Sequence, residues 1–106
     1  VVNEAMNSAC SVVVSHAVGS AAYLIKNEKN GFIYKFADIN ELTQKIKVLV
    51  ENKELRESFG RQAYKTITQD WSASVAAERF LNLAKTIANN EEYHNLYNDG
   101  PCRLSK

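Results

Sequence analysis

The stretch that decides the fold is Val1–Gly19, VVNEAMNSACSVVVSHAVG. It reads as the end of a helix over residues 2–9, a turn of small residues, a strand at Ser11–Ser15 and a loop bearing Gly19. The run SVVVS is β-branched and apolar between small polar residues, the pattern of a strand buried on both faces. A helix feeding such a strand, with further helices after it, is the rhythm of an α/β fold whose ligands sit at strand ends. The loop His16-Ala17-Val18-Gly19-Ser20 is therefore a candidate lining of a ligand crevice.

Composition narrows the classes. The chain has 106 residues, 45% of them hydrophobic and 24% charged, within the range of an ordinary globular chain. Its 13 basic and 12 acidic side chains leave a formal charge of +1, with no basic stripe. A nucleic-acid partner needs clustered Lys and Arg, so that class is disfavoured. No apolar run approaches the roughly 20 residues of a membrane-spanning helix. No signal-peptide pattern is present either, and the start of the sequence reads as truncated. Cys10 and Cys102 lie at opposite ends without the company of other ligands, so neither suggests a metal site. Cys10 is expected to be a small buried hydrophobe in a reducing cytoplasm.

Downstream, Ala21–Lys26 reads as a short helix or turn, and Asn30-Gly31 punctuates the chain before a strand at Phe32–Tyr34. Asp38 is a helix N-cap, with Glu41 placed to close a capping box. Leu42, Ile46, Leu49 and Val50 then share one helical face. Asn52 caps a second helix carrying Leu55, Phe59, Ala63 and Ile67. Gly60 inside that helix costs roughly 1 kcal/mol against alanine, a cost that close helix packing offsets. Trp71 or Ser72 ends the link to a third helix, which starts near Val75 and runs to about Ala88, with Val75, Ala76, Phe80, Leu83, Ala84 and Ile87 on its apolar face. Residues 1–88 thus form one incomplete domain, and 89–106 a polar tail containing the turn Asp99-Gly100-Pro101-Cys102.

The order Glu4-Ala5-Met6, small-residue turn, β-branched strand and Gly19 resembles the donor-site motif of retaining glycosyltransferases of the GT-B fold, the family-4 or group 1 type. The stretch LIKNEKNGF, then ELRESFGRQAYKTI, then Trp71 and a helix, follows the same family's order through residue 88. The resemblance implies the C-terminal, nucleotide-sugar-binding, Rossmann-like lobe of an enzyme that transfers sugar from a nucleoside-diphosphate donor to an acceptor hydroxyl with retention. In that family two glutamates separated by seven residues bracket the donor, and Glu4 matches the second. Its partner is expected upstream of Val1, together with the N-terminal acceptor lobe, which acts in cis.

On helix electrostatics alone, Glu4 complements a macrodipole, worth about 0.3–1 kcal/mol. The resemblance implies instead that its carboxylate accepts two hydrogen bonds from the donor ribose, each worth roughly 1.5–3 kcal/mol. Val1 and Val2, at the helix start, are expected to offer backbone amides to the diphosphate. The resemblance carries over no catalytic side chain, no metal ligand and no cofactor other than the donor itself. His16 is read as a loop histidine with a nearby hydrogen-bond partner, and His94 as solvated. Tyr23 stands where the family often has glutamate, Ser11 where it has proline and Ala9 where it has glycine. Ala9 accordingly requires the turn to avoid a positive φ.

Lys26, Lys29, Lys35, Lys45, Lys47 and Lys53 alternate with Glu28, Asp38, Glu41 and Glu51, which fits a solvated face better than a membrane-binding one. Peripheral membrane association of the parent enzyme nonetheless remains among its expected partnerships. Two short strands predict bare sheet edges or an oligomeric contact. The third helix predicts an exposed apolar patch or a neighbour. The competing class is a non-catalytic helical module that binds protein through residues 72–88. A response-regulator-type domain would need an acid at the strand end, and Ser11–Ser15 ends without one.

Overall fold

The computed structural model describes residues 1–92 and 97–103. His94 and its solvated reading lie outside the described residues. The chain divides into two compact units, Val1–Ile67 and Thr68–Lys106.

The first unit is a partial Rossmann-like α/β layer. Its elements are α1 (Val2–Asn7), β1 (Val13–Ser15), α2 (Ala21–Leu24), β2 (Phe32–Tyr34), α3 (Ile39–Glu51) and α4 (Lys53–Lys65). The two strands pair in parallel, with Val13 opposite Phe32, Val14 opposite Ile33 and Ser15 opposite Tyr34. β1 is shorter than the Ser11–Ser15 expectation because its partner offers only three residues. Val12 still lends its carbonyl to the Phe32 amide at 2.8 Å.

α1 stops at Asn7, two residues earlier than the sequence suggests, and the reason is a Schellman cap. The Cys10 amide donates to the Ala5 carbonyl at 3.0 Å and the Ala9 amide to Met6 at 3.0 Å. That geometry puts Ala9 at φ +56°, the left-handed region it was expected to avoid. The same reversal leaves Cys10 exposed, correcting its reading as a buried hydrophobe. A left-handed alanine costs roughly 1–2 kcal/mol. Ala9→Gly is therefore expected to stabilise the chain by about 1 kcal/mol after glycine's own entropic cost, read as a higher urea midpoint with an unchanged slope.

The core joins the layers. Phe32, Leu49 and Phe59 are buried together, with Val13 and Leu55 packed against them. The Phe32 and Phe59 rings meet edge to face, with centroids 5.0 Å apart and planes at 74°. Met6 is wholly buried from α1. Only part of the α3 stripe joins this core. Leu49 is buried, whereas Ile46 and Val50 are 45% and 70% exposed, so they do not share its environment.

Caps set both long helices of this unit. Asp38 Oδ1 accepts from the Glu41 amide at 2.9 Å, and Asn52 Oδ1 from Leu55 at 2.9 Å. The capping box closes one step further out than expected. Glu41 Oε2 takes the Lys35 amide at 2.7 Å, because the Asp38 amide already donates to the Lys35 carbonyl.

This arrangement also closes the outer edge of β2. The Ile33 amide is held by Asn27 Oδ1 at 2.8 Å and the Ile33 carbonyl by Lys45 Nζ, while Glu41 holds the Lys35 amide just beyond the strand. Lys45 is in turn paired with Glu41 at 2.8 Å. The expectation of bare strand edges is thus corrected at β2, where side chains do the work of a further strand.

The Lys35 amide, and secondarily Lys45, hold the Glu41 carboxyl below its ordinary value. Its contribution to stability is therefore present above the ordinary glutamate range and is lost as pH falls through the lowered folded value. Glu41→Gln should lower the urea midpoint at neutral pH, with the difference from wild type shrinking as pH falls below the ordinary glutamate range.

The second unit contains α5 (Ala73–Ala88), entered from a π-helical turn, Thr66–Asp70, in which the division of the chain falls. Ser72 caps α5, its Oγ accepting from the Val75 amide at 3.2 Å. α5 has no buried residue, and Phe80, Leu81 and Ile87 are exposed. Of the expected apolar face, Phe80 and Ile87 are exposed, whereas Val75, Ala76 and Leu83 are half-buried.

Candidate functional site at the strand ends

Parallel pairing brings the carboxyl ends of β1 and β2 side by side, so the loops His16–Ser20 and Lys35–Asp38 leave the sheet at one end. In open α/β sheets that end faces the ligand. The two loops are tied together. The His16 amide donates to the Tyr34 carbonyl at 2.9 Å, and the Phe36 amide donates to His16 Nδ1 at 3.0 Å. With Nδ1 accepting, the neutral ring carries its proton on Nε2. His16 is thus a strut between two loops, its partner near in space and twenty residues on in sequence. Beside it lies an open depression of about 420 Å³ lined by Lys35, Phe36, Ala37, Asp38, Ile39 and Asn40. Ala37 takes φ +66° there. Glu4 is not among these lining residues.

Glu4 lies in the first turn of α1 and is exposed. Its carboxylate has no hydrogen-bond or ion-pair partner among the described residues. Val2 opens the helix, while Val1 stands outside it at the N-cap and supplies no capping side chain. Of the two amides, only that of Val2 therefore belongs to the first turn, whose N–H groups have no intrahelical acceptor. The Ala5 amide already bonds the Val1 carbonyl at 3.1 Å. Tyr23 is half-exposed on α2.

The loop before β2 is built around a buried amide. Asn30 Oδ1 accepts from the Lys26 amide at 2.8 Å, and Nδ2 donates to the Leu24 carbonyl at 2.9 Å and to Thr66 Oγ1 at 3.0 Å. Next to it, a Cβ at Gly31 would stand 2.8 Å from the Val12 carbonyl oxygen. Asn30-Gly31 is therefore structural: it docks the turn against β1 and fixes where β2 begins. Among the described residues no three His, Cys, Asp or Glu side chains gather into a metal-binding group, and no helix is long and apolar enough to cross a membrane.

With this architecture in place, the family follows. The sequence model described as "Glycosyl transferases group 1" matches residues 1–66, nearly the whole of the first unit. The chain belongs to that family of glycosyltransferases. Among similar curated proteins is a poly(ribitol-phosphate) alpha-N-acetylglucosaminyltransferase of Staphylococcus aureus (strain COL), 34% identical over 76% of this chain and 16% of its own length. Trehalose synthases of Thermococcus litoralis and Pyrococcus furiosus are each 32% identical over 71% of this chain and 18% of theirs. The chain thus spans under a fifth of the curated relatives it matches.

Proposed function

We propose that this chain forms part of the nucleotide-sugar-binding lobe of a retaining glycosyltransferase, one that moves a sugar from a nucleoside-diphosphate donor to a carbohydrate or lipid-linked acceptor hydroxyl. The family match over residues 1–66, with Glu4 exposed and unpartnered in the first turn of α1, carries this reading. Glu4 accepts hydrogen bonds from the donor ribose, and the Val2 amide in the first turn, with the Val1 backbone ahead of it at the N-cap, faces the diphosphate. The leaving diphosphate is stabilised by fixed dipoles and basic side chains, with no metal or further cofactor required. The acceptor lobe and a second donor-site glutamate come from the rest of the enzyme, so residues 1–106 alone turn nothing over. The enzyme works in the cytoplasm, with peripheral contact to a membrane where its acceptor is lipid-linked.

Donor hydrolysis by the full-length enzyme, followed by proton NMR, tests the stereochemistry. Retention predicts that the first sugar released has the anomeric configuration of the donor. Release of the opposite anomer would overturn it. A second reading, a helical protein-binding module with a fragment oligomer as one outcome, draws only on exposed Phe80, Leu81 and Ile87 of α5. It predicts no nucleotide binding.

A further inference from the structure

The Asp99-Gly100-Pro101-Cys102 turn lies outside the family match over residues 1–66 and gathers around Arg79. Arg79, on α5, donates from Nη1 to the carbonyls of both Asp99 and Pro101, the latter at 3.1 Å. Its guanidinium carbon stands 4.0 Å from the centroid of the Tyr97 ring, a stacked cation–π contact. Gly100 is buried between these groups at φ +82°. A Cβ there would come within 2.6 Å of the Asp70 carbonyl oxygen and 2.7 Å of Arg79 Nη1. A bridge between Tyr97 and Arg103 closes the loop behind the turn, and Cys102 completes it at φ +57°. Arginine suits this task because one planar, permanently charged group stacks and donates at the same time.

We propose that residues 97–103 are a latch that closes on Arg79 and holds the segment from Asp70 to the first turns of α5. No periodic apolar pattern ties this turn to α5. Two backbone carbonyls and one ring meet at Arg79, beside a glycine-sized space bounded by the Asp70 carbonyl. Withdrawing that side chain, or filling the space at Gly100, opens the turn as a unit and leaves the rest of α5 helical.

The two cysteines report on it. Cys102 lies in the latch and is half-buried, while Cys10, exposed in the first unit, is an internal reference. Iodoacetamide labelling of the full chain, read peptide by peptide, should show Cys102 reacting at least tenfold faster in both Gly100→Ala and Arg79→Met than in wild type. The Cys10 rate should stay constant. Hydrogen exchange should speed up at residues 97–103 and at the start of α5, with protection kept over residues 80–88. Unchanged Cys102 labelling, or acceleration in only one of the two variants, overturns the latch. Loss of protection throughout α5 also overturns it, because the turn would then be an inseparable part of the helix's fold.

Discussion

Gly60→Val is expected to destabilise the first unit by about 3 kcal/mol, the upper end of the ordinary cost of overpacking. Glycine in a helix interior is unfavourable on its own, and alanine would raise helix propensity by roughly 1 kcal/mol. Position 60 reverses that preference. A Cβ at Gly60 would overlap the Ala9 carbonyl oxygen, a backbone atom already fixed by the Schellman cap of α1. Relief would require α1 and α4 to separate, withdrawing cover from buried Met6, Phe59 and Ala63. Gly19→Ala is the control: nothing lies within 4 Å of its added Cβ, and the change should stay within about 0.5 kcal/mol. Urea titrations of the three proteins by circular dichroism measure both effects. Equal midpoints for Gly60→Val and wild type would mean that α1 does not pack on α4 in this way.

Asn30→Ala is expected to cost a similar amount, about 3 kcal/mol, by a different route. The side chain is 2% exposed and makes three hydrogen bonds. Truncation removes the acceptor of the part-buried Lys26 amide and the donor to the buried Leu24 carbonyl, and a buried group left unsatisfied costs roughly 1–3 kcal/mol. The damage should concentrate at the approach to β2, so amide exchange at Phe32 ought to accelerate before exchange in α3 does. A loss below about 1 kcal/mol in urea melts would show that water replaces the asparagine.

What the sequence discloses about this fold is what is local. Asp38 and Asn52 are legible as caps because an N-cap side chain bonds an amide two or three residues ahead, and both do. The two short strands are legible from their apolar runs and the Asn-Gly before the second. The end of α1 is not, because a left-handed cap usually advertises itself with glycine and here uses Ala9. The closed edge of β2 depends on Asn27, Lys45 and Glu41, whose partners are set by tertiary packing. Periodicity grouped Ile46 and Val50 with Leu49 since it reports a helical face but not where that face meets cover. The polar tail shows no sign of Arg79 in its sequence for a related reason: the arginine holds backbone carbonyls and a ring rather than an apolar repeat.

The candidate site divides along the same line. That His16 lies at a strand end was readable from the chain, whereas its hydrogen bond to Phe36 joins residues brought together only by β1–β2 pairing. Glu4 gave no chemical signal of its own. An acid in a first turn suits a helix dipole, and only the resemblance to a family motif pointed to ribose. The exposed, unpartnered carboxylate is compatible with that role.

Calorimetric titration of UDP- and GDP-sugars into the full-length parent, wild type and Glu4→Ala, tests that role most directly. Circular dichroism of the variant first establishes that it is folded. The account predicts that one donor class binds wild type and that Glu4→Ala weakens it by roughly 1.5–3 kcal/mol, about 10- to 150-fold. Equal donor affinity in the two proteins would contradict the assignment of Glu4 to the ribose, and no binding of any donor by a folded wild type would contradict the donor-lobe reading itself.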